Sequence, residues 1–304
     1  MKEYVRLITI LVKSIKENEC LVKVYDLQSL IDRVSVEIGK TSNINEADLV
    51  LVDVVDLETK LLSEIKRLPK HSLIVVFNVF EELPIWSKIA NILAEYGLLY
   101  SYLPVGNGVA LISWRGYDKR FFEKTVEIYN LSVSKGPMPI HYNTAKTLYI
   151  ITRFITKYRD GVVVEVGTGR GFSTLWLAKA VSETGKMLIS IDNKCDRVEE
   201  TRKALSELGL NNVKAVCGDA RKYHVDDNIV SLFIDGAKEE YHIYLENFEK
   251  NLVKYSLVAA HNTLLPHPHK VKEYIEKVYG REYESITIAT DPSGLTLSLY
   301  LGRK

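Results

Sequence analysis

The strand-like run Val162-Val163-Val164-Glu165-Val166 leads into Gly167-Thr168-Gly169-Arg170-Gly171, and Phe172-Ser173-Thr174-Leu175 then opens a helix. Alternate glycines let a backbone approach a ligand closely and accept positive φ. The helix N-terminus behind them offers free N–H groups and the positive end of a dipole. Asp192 ends the next strand, 21 residues after Gly171; a carboxylate there can accept both hydroxyls of a ribose. Gly218-Asp219-Ala220 ends the third strand and Asp235-Gly236 the fourth. Any one of these aspartates by itself reads more readily as an Asx turn or a cap. Four strand ends in register with a glycine loop read as a nucleoside site on the carboxyl edge of an open α/β sheet.

That edge requires a parallel sheet with crossover helices, and the pattern supplies one. Strands are predicted at 161–166, 186–192, 213–218, 230–235, 256–262, 283–290 and 295–302, with helices at 172–183, 196–208, 238–252 and 268–279. Tyr241, Tyr244, Leu245, Phe248 and Leu252 share a helix face, as do Val271, Tyr274, Ile275 and Val278. The last two strands are joined by Asp291-Pro292-Ser293-Gly294, too short for a crossover, so the final strand is antiparallel. Upstream, strands are predicted at 4–12, 21–26, 48–55, 72–79, 98–104 and 108–114, with helical stretches at 57–68 and 84–97. Gly106-Asn107-Gly108 makes the last pair a hairpin. The fold class is therefore α/β: a seven-stranded Rossmann-like sheet in 142–304 preceded by a smaller α/β domain in 1–117. Residues 118–141 form a helical linker or lid ending in the proline-containing loop 134–139. The order of elements from 48 to 114 echoes that from 230 to 302, which makes the first domain a candidate degenerate copy of the second.

The segment Tyr142 to Gly302 resembles the class I S-adenosylmethionine-dependent methyltransferases in Glu165-Val166-Gly167-Thr168-Gly169-Arg170-Gly171, in Asp192, in Cys217-Gly218-Asp219-Ala220 and in its antiparallel closing hairpin. The resemblance implies S-adenosyl-L-methionine as cofactor. Glu165, Gly167, Thr168, Gly169, Gly171 and Ser173 would cradle its methionine part, Asp192 the ribose, and Asp219 with Ala220 the adenine, with Asp235 at the next strand end. A sulfonium cofactor carries no pyrophosphate, so an acidic Glu165 is tolerable beside it.

The fourth and fifth strand ends, Asp235-Gly236-Ala237-Lys238 and His261-Asn262, resemble the catechol and caffeoyl-coenzyme-A O-methyltransferase group. There Asp, Asp and Asn hold a divalent cation and Lys helps deprotonate the acceptor. Asp235, Lys238 and Asn262 match; His261 replaces the second carboxylate. Magnesium prefers oxygen, and imidazole suits softer metals. The reading is a metal-free site in which Lys238 or His261 is the base and Asp235 a partner. The alternative is a softer metal on Asp235, His261 and Asn262, with His267 or His269 as further ligands. The expected reaction is O-methylation of a small or medium-sized acceptor.

Composition narrows the rest. The 304 residues carry 40 Lys plus Arg against 39 Asp plus Glu, so no net charge favours a polyanionic partner and nucleic acid is not the favoured acceptor. An RNA or tRNA methyltransferase and a catalytically inactive scaffold remain the rival readings. The apolar stretch Leu7–Val12 is far shorter than a membrane span and reads as a strand. Cys20, Cys195 and Cys217 are odd in number and lack close spacing, so a disulfide is not expected and a reducing, cytoplasmic setting fits. A single glutamine, Gln28, points toward a heat-loving source. The first domain would serve acceptor binding or a homodimer.

Overall fold

The computed structural model describes residues 2–15, 23–26, 39–41, 43–114 and 118–302. The chain divides into two compact units, Met1–Tyr117 and Asp118–Lys304.

The first unit contains α1 (Lys2–Ser14), β1 (Lys23–Asp26), β2 (Gly39–Lys40), β3 (Leu49–Asp53), α2 (Val54–Asp56), β4 (Leu73–Phe77), α3 (Leu83–Glu95), β5 (Leu98–Leu103) and β6 (Val109–Trp114). Its sheet has the order β2-β1-β3-β4-β6-β5. The first four strands are parallel, and the β5–β6 hairpin lies antiparallel against β4. Two expectations are corrected. The stretch 4–12 is helix, not strand: Leu7, Ile8, Leu11 and Ile15 are wholly buried, at helical spacing. A short apolar run alone does not tell the two apart. The stretch 57–68 is not one helix but a wide turn over Leu57–Leu61 and a 3-10 turn over Ile65–Arg67. Leu57, Leu61, Ile65 and Leu68 are still buried, because burial follows the apolar side chains whichever helical winding carries them. The part of the expected strand 21–26 before Lys23 lies outside the described residues.

The second unit contains α4 (Lys119–Lys135), α5 (Tyr142–Tyr158), β7 (Val162–Val166), α6 (Phe172–Thr184), β8 (Met187–Asp192), α7 (Cys195–Glu207), β9 (Val213–Cys217), β10 (Ile229–Ile234), α8 (Tyr241–Glu249), β11 (Leu252–His261), α9 (Lys272–Val278), β12 (Tyr283–Ile288) and β13 (Leu295–Tyr300). The seven-stranded sheet has the order β12-β13-β11-β10-β7-β8-β9. Only β13 runs against its neighbours. β7 and β10 sit at its centre, buried throughout, as a parallel strand covered on both faces must be. The chain order reverses between β7 and β10, which opens a crevice at their carboxyl ends.

α4 belongs to this unit. Its Phe121 and Phe122 stand edge-on to Trp176 of α6, with ring centroids 5.2 and 5.9 Å away. Tyr129 packs on Phe172 and Tyr142. Such aromatic contacts add to the burial of large rings and fix α4 over the helix that follows the glycine loop. Among the described residues no helix is long and apolar enough to cross a membrane.

Candidate cofactor site and acceptor edge

A cavity of about 450 Å³ lies along the carboxyl ends of β7, β8, β9, β10 and β11. Gly167, Thr168, Gly169, Ser173, Asp192, Asp219, Ala220, Asp235, Lys238, His261 and Asn262 all line it. The strand register explains why residues nearly 100 positions apart meet there. Ile234 pairs with both Val166 and Ala260, so Gly167, Asp235 and His261 follow in one row.

The glycine loop is held very close to β10. Gly167 has φ +99° and an added Cβ would stand 2.3 Å from the Asp235 carbonyl oxygen. Gly171, at φ +94°, caps α6 and faces Thr201. Asp192 then ties the loop to β8. Gly169 N donates to its Oδ2 at 2.9 Å and Lys194 N to its Oδ1 at 2.9 Å. Each carboxylate oxygen keeps a further lone pair for a ligand hydroxyl.

Glu165 is placed differently from its sequence neighbours. It is wholly buried and lies beneath the loop rather than on the cavity wall. It accepts from the hydroxyls of Ser173, Thr174 and Ser190, each at 2.6 Å. Burial pushes its carboxyl up to about 7, although the three hydroxyls pull the other way. Glu165 thus braces the start of α6 against β8, and Ser173 spends its hydroxyl on that brace.

At the β9 end of the cavity, Asp219 is gripped by Arg221, with Nε 2.8 Å from Oδ1 and a terminal nitrogen 2.7 Å from Oδ2. That guanidinium holds the carboxyl down at about 2. Arg221 also donates to Glu240 at 3.0 Å, linking the β9 and β10 loops. Nothing in the sequence pattern singled out Arg221. Cys195 and Cys217 form a disulfide, which corrects the expectation of free thiols. Their 22-residue separation looked too wide. One strand–helix–strand unit returns the chain beside its start, so Asp192 pairs with Cys217.

On the acceptor side, His261 lies between two carboxylates. His261 is buried and its Nε2 sits 3.0 Å from Oδ2 and 3.2 Å from Oδ1 of Asp291. Its Nδ1 is 3.5 Å from Oδ1 of Asp235, an ion pair without hydrogen-bond geometry. Burial alone would lower the imidazole pKa, but Asp235 and Asp291 together outweigh it and raise it to about 9. Two carboxylates that favour the protonated ring make it a poor general base near neutrality. Nε2 is engaged by Asp291, whereas Nδ1 faces Asp235 without a hydrogen bond; among the described residues no three His, Cys, Asp or Glu side chains converge. The rings of His267 and His269 meet edge-on, with centroids 5.8 Å apart.

Asp291 was read only as part of a turn. It is buried, and it accepts from Thr144 Oγ1 at 2.5 Å and Ser293 N at 2.8 Å. Despite burial, His261, Thr144 and Ser293 hold its carboxyl below the usual range. The available signal was a turn closing an antiparallel strand beside β11, hence on the same edge.

Residues 164–263 match the family model of a methyltransferase domain. A protein-L-isoaspartate O-methyltransferase of Methanococcus maripaludis is 42% identical over 112 residues, 36% of this chain and 51% of that protein. The chain thus spans about half the length of the curated relatives it matches. The O-methyltransferase of Bacillus cereus in complex with S-adenosylhomocysteine shares 18% identity at TM-score 0.50, over 61% of this chain and 92% of that one. The O-methyltransferase of tomaymycin synthesis from Streptomyces achromogenes, in complex with S-adenosylmethionine, shares 21% at TM-score 0.50, over 62% and 92%. At such identities the likeness is one of fold. Residues 164–263, which carry the glycine loop and most of the cavity wall, are thus similar to a methyltransferase domain, and Asp118–Lys304 shares the sheet fold of these O-methyltransferase structures.

Proposed function

We propose that this chain transfers a methyl group from S-adenosylmethionine to an oxygen of a small or medium-sized acceptor. The observation that carries the reading is the row Gly167–Asp235–His261, which places a glycine cradle and an acidic acceptor edge on one cavity. The residues fit the cofactor. Only glycine fits at 167, and Asp192 keeps lone pairs for ribose hydroxyls. When bound, the cofactor supplies an electrophilic methyl carbon.

The chain's own residues do the rest by positioning, a large source of rate when the leaving group is good. Asp235 accepts the hydrogen bond of the acceptor hydroxyl and takes its proton as the methyl is transferred, passing it on to solvent. Lys238, half-buried on the first turn after β10, stands beside the acceptor oxygen and stabilises its developing negative charge. His261 holds Asp235 in place. The segment Pro137–His141 closes over the cofactor; its support is that it lines the cavity and that Arg170 Nε donates to the Gly136 carbonyl at 2.6 Å. A carboxylate acceptor is a second reading, favoured by the isoaspartate enzyme match. Such an acceptor needs no base, which suits an edge whose histidine is already protonated.

Titration calorimetry with S-adenosylhomocysteine tests the cofactor assignment. Asp192→Ala should weaken binding at least 10-fold, since charge-assisted hydrogen bonds are worth about 1.5–3 kcal/mol each. Unchanged affinity would remove Asp192 from the site. A radiolabelled methyl-transfer screen over phenols, catechols and isoaspartyl peptides tests the acceptor. Lys238→Ala should cut kcat about 10²-fold or more on a hydroxyl acceptor, with cofactor affinity kept.

A further inference from the structure

The two units share more than an element order. Reading outward from the hairpin, the first sheet runs β5-β6-β4-β3-β1-β2 and the second β12-β13-β11-β10-β7-β8, followed by β9. Every corresponding pair has the same sense, parallel or antiparallel. The first sheet is the second with its β9 edge missing among the described residues.

The correspondence extends to single residues. Asp53 pairs with Phe77 and Phe77 with Val109. Asp235 stands beside His261, and His261 pairs with Leu295. Five residues before Phe77, Ser72 Oγ donates to the Ala47 carbonyl at 2.6 Å. Five before His261, Ser256 Oγ donates to the Ile229 carbonyl at 2.6 Å. Ala47 lies six before Asp53, and Ile229 six before Asp235.

Just past these strands, Asn78 and Asn262 both adopt left-handed backbone, at φ 60° and 58°, unusual outside glycine. Two residues on, Phe80 N donates to the Asn107 carbonyl at 3.0 Å and Leu264 N to the Ser293 carbonyl at 2.8 Å. The next residue in each hairpin turn is a glycine of positive φ, Gly108 and Gly294. An added Cβ on Gly108 would stand 2.5 Å from Phe80 Cγ, and one on Gly294 2.5 Å from Leu264 Cγ. The third residue of the leading helix ties to the turn in both units. Tyr4 OH accepts from Asn107 N at 2.7 Å, and Thr144 donates to Asp291, two positions earlier in its turn. A shared sheet order alone could be convergence; this many matched contacts at fixed offsets point to a copied chain.

The copy lacks the means to hold a nucleoside. After β1, the counterpart of β7, the sequence runs from Leu27 to Ile38 without a glycine, the residue type that the close approach at Gly167 requires. The acceptor edge is also changed. Phe77 stands for His261 and buried Val105 for Asp291, an apolar pair in place of an ionic one. Asp53 and Asn78 remain but close on each other, with Asn78 Nδ2 donating to Asp53 Oδ2 at 2.6 Å.

We infer that Met1–Tyr117 is a second, cofactor-silent copy of the methyltransferase fold, so that the chain holds one cofactor, in its second copy. The cofactor count rests on the methyl-transfer reading above; the duplication does not. Titrating the full chain with S-adenosylhomocysteine should give one equivalent per chain, and Asp53→Ala should leave affinity within twofold. Two equivalents, or a loss above 10-fold in Asp53→Ala, would overturn the silent-copy inference. Absence of any binding would instead overturn the methyl-transfer reading, and a crystal structure of the full chain then decides the duplication alone. Superposition of β1, β3, β4, β5 and β6 on β7, β10, β11, β12 and β13 should bring Asn78 onto Asn262 and Gly108 onto Gly294. A first unit with another strand order would refute it.

Discussion

Gly167→Ala should abolish measurable cofactor binding, with a loss of 100-fold or more by calorimetry. The new methyl would need space 2.3 Å from the Asp235 carbonyl oxygen, which is backbone and cannot rotate away. Adopting φ +99° adds about 1–2 kcal/mol for an L side chain, and overpacking adds about 1–3 kcal/mol. The cheapest escape is for the loop to lift from β10, which breaks the Gly167 N to Ile191 carbonyl bond of 2.8 Å and reshapes the cradle. Gly169→Ala is the control. Its Cβ would meet only Pro137 Cγ, at 3.2 Å, so binding should fall by a smaller factor while the fold persists. Equal effects at the two positions would show that close approach to β10 is not what Gly167 provides.

Asp291→Asn should lower Tm on the order of 10 °C at pH 7. Removing one member of a buried ion pair costs about 3–5 kcal/mol, and a unit of this size shifts about 2–4 °C per kcal/mol. The pH dependence gives the assignment. His261 is raised to about 9 in the fold, above its unfolded value near 6.5. Its stabilising contribution is complete below about pH 6.5 and is lost as pH rises through about 9. Asp291 is depressed, so its contribution holds above its unfolded value near 3.9 and is lost in acid. The difference in Tm between wild type and Asp291→Asn should therefore be widest from about pH 5 to 7 and close above pH 9. A constant gap across pH 6–10 would mean that the pair is not ionic.

How much was legible follows from how far each signal reaches along the chain. The glycine loop with Asp192, Asp219 and Asp235 was readable because each residue sits at a strand end, and strand ends are local features. The antiparallel hairpin was readable because a four-residue turn excludes a crossover. The helix at Lys2–Ser14 was misread because Leu7–Val12 carries both periods at once.

The sequence by itself determined the α/β alternation, the carboxyl-edge site and the kind of ligand its glycine loop resembles, since period and turn chemistry are properties of neighbouring residues. Tertiary structure alone decided what the chemical groups can do. It set His261 between Asp235 and Asp291, 56 positions apart in the chain, and so made a candidate base into a buried cation. It turned Glu165 beneath the loop, gave Asp219 to Arg221, and joined Cys195 to Cys217. Protonation state and access depend on neighbours brought together by the sheet register, and residue types at their own positions carry no record of that pairing.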